Sequence, residues 1–227
     1  MIDFRTMIRD NADPRYKEFN ESIIPGTGLS YGVRTPIIRD LSKKILKDDW
    51  KAFLETEPEC YEERTLRAMV IAKAPIDTDE RLALSREYVE GIDNWAHCDV
   101  FCGDWKIKPE DKWKLWAYVL ELMETGEEFK MRVSAVMMLV HFLDDEHIDD
   151  VLSILSSRYH KGYYYKMGAA WALSFCFIKY PEKTEPYLFV DTLDKEIRNK
   201  AIQKVCDSFR VEKDVKERLK TKKRSYV

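Results

Sequence analysis

Glycine and proline are scarce, eight of each in 227 residues, which excludes collagen-like, linker-like and low-complexity organisation. Cysteine is also sparse. Five residues at irregular spacing make no disulfide framework and suit a reducing compartment, where cysteine acts as a small buried apolar group. Long hydrophobic runs are missing as well: the longest apolar stretches, Ala68 to Ala72 and Val133 to Val140, fall far short of the roughly 20 residues that span a bilayer. The first residues, MIDFRTMIRDN, carry acids and no apolar signal region, so the expected location is cytoplasmic, in association with the nucleoid during any work on DNA. Phosphate-binding glycine loops, GxSxG elbows and HExxH zinc motifs are absent. His97 with Cys98 and Cys102 lacks both a second ligand pair and a CxxC spacing, and no metal is expected there.

What is present is helix-forming. Hydrophobic residues make up 45% and charged residues 35% of the chain, and alternating β-branched strands with Asn-Gly or Asp-Gly turns do not occur. Asp13-Pro14 and Thr35-Pro36 read as N-cap and first-turn pairs. The latter opens TPIIRDLSKKIL, with Ile37, Ile38, Leu41 and Ile45 on one face. Further helical runs are expected over 48–56, 60–73, 78–90, 93–102, 109–124, 127–142, 146–157, 163–180, 182–191, 194–208 and 211–221. They are joined by short links at Ala74-Pro75, Thr125-Gly126, Asp144-Asp145 and Pro181.

These segments resemble one another. ERTLRAMVIAK, KMRVSAVMML, YKMGAAWALSF and EIRNKAIQKV each set a basic residue ahead of alanines and an apolar run. Aligning Arg64, Arg132, Lys166 and Arg198 gives steps of 68, 34 and 32 residues, with a missing member near 98, in GIDNWAHCDVFCGDW. A period of about 34 residues with two helices per unit predicts an all-α fold: a right-handed solenoid of HEAT-like or armadillo-like repeats with 12 to 14 helices and a concave groove. The expectation is one domain over 1–227, about six helix pairs, with a basic tail from 211 onward. Trp95, Asp99 and Trp171 fall at offsets −3, +1 and +5 from the repeat point, one helical stripe, with Arg132 at 0. Equivalent helices of successive repeats could bring them to a common groove.

Charge is unevenly spread. Residues 51–150 carry 12 Lys and Arg against 24 Asp and Glu, and residues 151–227 carry 17 against 9, so a polyanion would meet the C-terminal part. Asp99 lies among Cys98, Val100, Phe101 and Cys102, where an acid needs a partner or a function. An ion pair with Arg132 and a helix cap are the structural alternatives. Trp95 and Trp171 can equally be core residues, and Arg132 can extend its head from an apolar helix to the surface.

The segments YGVRTPIIRDL (31–41), WAHCD with Trp95 four residues before Asp99, MRVSAV with Arg132, GAAWAL with Trp171, and the late EIRNKAI resemble, in order and spacing, the AlkD-like DNA alkylation repair family. That resemblance implies an enzyme of HEAT-like repeats that hydrolyses the N-glycosidic bond of cationic N3- or N7-alkylated purines in double-stranded DNA, as a monomer, with no metal, cofactor or membrane. It makes Asp99 the catalytic carboxylate and Trp95 and Trp171 the aromatic walls beside the lesion. Arg132, with Lys166, Arg198 and Lys200 of the basic repeats, would contact DNA phosphates. Ala96, His97 and Cys98 are less polar than usual for the family, Ser174 stands where an arginine often follows the second tryptophan, and only about 30 residues precede YGVRTP. These departures keep a second reading open, an inactive relative that binds DNA or protein as a solenoid scaffold.

Overall fold

Asp residues begin most of the early helices, because a side-chain oxygen at the cap accepts an otherwise unpaired first-turn amide. In the computed structural model, which describes residues 2–24 and 26–226, Asp3 caps α1 (Phe4–Asp10), Asp13 caps α2 (Pro14–Ile23) and Asp49 caps α4 (Trp50–Glu55). Helix α3 (Thr35–Lys47) begins differently. Thr35 is its first helical residue rather than its cap, and Arg34 takes the extended cap position without a side-chain bond. Its carbonyl accepts from the amides of Ile37 and Ile38. The buried stripe of α3 is Ile38, Leu41, Ser42 and Ile45, while Ile37 is exposed at the stripe's edge.

The chain continues through α5 (Tyr61–Lys73), α6 (Thr78–Glu90), α7 (Trp95–Asp104), a short 3-10 turn at Pro109–Asp111 and α8 (Lys112–Glu124). It then forms α9 (Glu128–His141), α10 (Ile148–Ser157), α11 (Tyr163–Lys179), α12 (Pro181–Tyr187), α13 (Lys195–Asp207) and α14 (Lys213–Ser225). Among the described residues there is no strand, and no helix is long and apolar enough to cross a membrane. The fold is an all-α helical repeat. Gly126, just past the end of α8, has φ of 70°, the left-handed turn that ends a helix most cheaply on glycine. The basic tail is itself helical: α14 buries Leu219 and packs on α13.

The chain forms two compact units, residues 1–118 and 119–227, divided inside α8. In the first, α5 packs between α3 and α7; in the second, α11 packs between α9 and α13. All of these helices except α3 carry the repeat points. The core of the first unit gathers Phe4, Ile8, Val33, Ile38, Leu41, Ile45, Phe53, Leu66, Met69 and Val70. Helix α1 was not marked by the sequence pattern. It is held by only two buried residues, Phe4 and Ile8, one turn apart, with the Phe4 ring edge-on to Phe53 at 5.0 Å.

The repeat-point cations work within this packing, and Arg64, Arg132 and Lys166 each reach forward about one repeat. The Arg64 guanidinium pairs with Asp93 at 2.9 Å, just before α7. Arg132 donates to the Tyr164 carbonyl at 2.8 Å in the first turn of α11. Lys166 meets Glu196 and, at 3.5 Å, Asp194 at the start of α13. A Cβ at Gly168 would stand 3.1 Å from Arg132 Cγ, so the bare backbone of α11 makes room for the arginine stem. Arg198 follows another pattern: it gathers the carbonyls of Leu188, Val190 and Leu193 at 2.8, 2.9 and 3.2 Å, closing the turn after α12.

Candidate functional site

A glutamate prepares the site. Glu62 is 1% exposed, and its Oε1 accepts the amides of Tyr31, Gly32 and Val33 and the Ser30 hydroxyl at 2.8 to 3.2 Å. A buried carboxylate is tolerable because these donors replace its water. The bonds draw the segment 30–33 against α5. Gly32, at φ 72°, then lets α2 cross directly above: a Cβ there would overlap the Asp13 carbonyl and the Lys17 amide. The Asp13 amide donates to the Tyr31 carbonyl, and its carboxylate binds Arg34, whose guanidinium lies 4.9 Å above the Tyr16 ring.

These constraints leave a cavity of about 180 Å³ between α2, the 33–38 segment, α5 and α7. Tyr16, Asn20 and Ile23 line it from α2, Tyr61 and Thr65 from α5, and Trp95, Ala96, Asp99 and Val100 from α7. Asn94 caps α7 by accepting the His97 amide at 3.0 Å, which sets the helix phase. Trp95 and Asp99, one turn apart, face the cavity, whereas His97, Cys98, Phe101 and Cys102 are buried. Asp99 is half-buried. Trp95 is half-buried too, and its indole Nε1 donates to the Ile23 carbonyl at 3.1 Å.

His97 belongs to the wall's support. Its ring stacks on Tyr61 at 4.5 Å, Nε2 lies 3.2 Å from the Tyr61 carbonyl and Nδ1 2.7 Å from the Asn94 amide nitrogen. A carbonyl only accepts, so Nε2 carries the proton and Nδ1 accepts from Asn94. Burial lowers the His97 pKa to about 4 and raises that of the Tyr61 hydroxyl to about 12. Both are neutral near pH 7. Among the described lining residues the cavity carries one carboxylate, Asp99, two tyrosines and a tryptophan, and no lysine or arginine. A wall of this kind favours a cation with an aromatic body.

The remaining expected site residues lie in the C-terminal unit. Trp171 is half-buried on α11, edge-on to Phe175 at 6.1 Å. Arg132, Lys166 and Arg198 are 5%, 9% and 7% exposed, with their heads on the internal partners described above. Lys200 is exposed, and its amine is 3.4 Å from Gln203. The sequence pattern did not single out Tyr16, Asn20, Tyr61, Thr65 or Glu62. The spacing of Tyr61 and Thr65, four apart on one helix, was the available signal for that wall.

A helical-repeat protein with a cavity that sets a carboxylate beside aromatic rings is the class that fold and site define. A family model for DNA alkylation repair enzymes matches residues 4–213, and the chain belongs to that family. A search of curated proteins and one of solved structures each returned no match.

Proposed function

We propose that the protein is a DNA glycosylase that releases cationic N3- or N7-alkylated purines from duplex DNA. The observation that carries this reading is the placement of Trp95 and Asp99 on one wall of a cavity whose described lining has no positive side chain. An alkylated purine already bears positive charge, so it leaves without a strong general acid. The C1′–N bond breaks with its electron pair going to the purine, which departs neutral. The sugar is left as an oxocarbenium-like cation, and the Asp99 carboxylate stabilises that charge. Water then bonds to C1′ and gives up its proton through Asp99 to solvent. The Trp95 indole face attracts the cationic nucleotide, and Trp171 offers a nucleotide the same kind of face. Exposed Lys200 suits a phosphate contact. Arg132, Lys166 and Arg198 would serve one only by sharing or exchanging their internal partners.

Those internal partners favour a second reading, a non-catalytic solenoid that binds DNA or protein and uses its repeat cations to hold helices together. Release of 7-methylguanine and 3-methyladenine from methylated duplex DNA separates the two. Wild type releases both bases and Asp99→Asn loses about 100-fold or more in rate while still binding the duplex. Folded wild-type protein that releases neither base sinks the glycosylase reading.

A further inference from the structure

A second cavity, of about 330 Å³, lies in the N-terminal unit on another face of α5. The cavity beside Asp99 takes Tyr61 and Thr65 from that helix; this one takes Arg64, Arg67 and Ile71, spaced three and four apart and so on one stripe. Cavities that hold small molecules begin at about 300 Å³. Leu54 of α4, Pro58 of the link after it, Ile71, and Leu84 of α6 give this one aliphatic surface. The link itself is pinned: the Thr56 carbonyl accepts from Arg67, the Glu57 carbonyl accepts from Arg5 at 2.9 Å, and the Glu59 amide donates to Glu63 at 3.1 Å. A wall fixed in advance lowers the ordering cost of binding. The charges of the lining are not matched to one another. Arg64 already pairs with Asp93 at 2.9 Å. Arg67 is half-buried and has no ion-pair partner among the described residues, and its Nε–H is buried without an acceptor. A buried donor without an acceptor marks a place for a ligand, ion or water. Glu57 and Glu87 line the same cavity, both exposed, and neither carboxylate has an ion-pair partner among the described residues.

We propose that this cavity binds a free branched aliphatic amino acid as its zwitterion, with the carboxylate on Arg67, the ammonium at Glu57 and Glu87, and the side chain against Leu54, Ile71 and Leu84. A guanidinium offers a carboxylate a fork of N–H donors, and Arg67 uses only one of its donors on Thr56. Charge selects a zwitterion over a simple anion. With Arg64 neutralised by Asp93, the lining holds one open cation and two open carboxylates. Those carboxylates repel a polyanion, so a DNA phosphate is not the occupant. Neither Asp99 nor any nucleic acid takes part, and the proposal stands apart from the excision reading.

Titration of the full chain with L-leucine, followed by two-dimensional amide NMR, tests the proposal without DNA and without any assay of excision. Saturable shifts are expected at the amides of Ile71, Leu84 and Gly91, which line the cavity. Isocaproate lacks the ammonium and isopentylamine lacks the carboxylate; each is expected to bind about 10-fold or more weakly than leucine. Arg67→Gln is expected to weaken leucine binding about 10- to 150-fold, the size of a lost hydrogen bond to a charged group. That variant also frees the Thr56 carbonyl, so a second one is needed whose fold is not in question. Glu57→Gln combined with Glu87→Gln changes only exposed, unpaired groups, and is expected to weaken leucine about 10-fold while isocaproate binds as before or better. The absence of a saturable shift with leucine overturns the proposal, as do shifts confined to Thr65 and Val100 beside Asp99. Isocaproate binding as tightly as leucine overturns it too, and so does full leucine affinity in the double glutamine variant.

Discussion

Trp95 and Ile23 are 72 residues apart in the chain, yet the indole N–H of one donates to the backbone carbonyl of the other at 3.1 Å. That carbonyl is the last of α2, one of the groups a helix leaves unpaired at its C-terminal end. The tryptophan satisfies the end of α2 and in return has its ring plane fixed over the cavity. Trp95→Phe keeps an aromatic face and removes the donor. It is expected to lower the unfolding free energy by about 1 kcal/mol and to speed amide exchange in α2 relative to α3, measured by urea denaturation and hydrogen exchange.

Gly32 and Gly126 have nearly the same backbone, φ 72° and 70°, in different surroundings. Nothing stands within 4 Å of a Cβ built on Gly126, whereas one on Gly32 runs into the backbone of α2. Gly126→Ala is expected to cost about 1 kcal/mol, the conformational penalty alone, and Gly32→Ala about 3 kcal/mol through added overlap. Denaturation midpoints give both values. On the proposed glycosylase reading, the Gly32 variant is also expected to lose excision, since α2 lines the cavity, while the Gly126 variant keeps it.

Stability against pH reports His97. In the unfolded chain the imidazole takes its proton near pH 6.5; in the fold it does so only near pH 4. Between those values the unfolded state binds a proton that the folded state refuses. The stabilisation is therefore whole above pH 6.5 and is lost as pH falls toward 4, by at most about 3 kcal/mol. His97→Gln, followed by urea denaturation at several pH values, is expected to flatten that slope.

Local chemistry made much of this legible. Caps and apolar spacing marked every helix from α2 onward, and the i, i+4 relation of Trp95 to Asp99 foretold that they share a wall. Helix α1 escaped because two buried residues in seven make too short a pattern. The place of α2 in the cavity wall escaped because it depends on contacts from Asp13 to Tyr31 and from Ile23 to Trp95, which no local window contains. The repeat-point cations were recognisable by position but not by partner: an arginine that holds a carbonyl and one that holds a phosphate look alike in sequence.

The forward reach of those cations is a ruler. Arg64, Arg132 and Lys166 grip targets 29, 32 and 30 residues ahead, and a side chain cannot stretch to follow a helix that slides by a turn. Links between helices can therefore vary in length while the register between the clasped helices does not. Lengthening a link adds loop at the margin of a unit, whereas shifting one clasp residue by a single position turns its charge away from its target and uncouples two repeats.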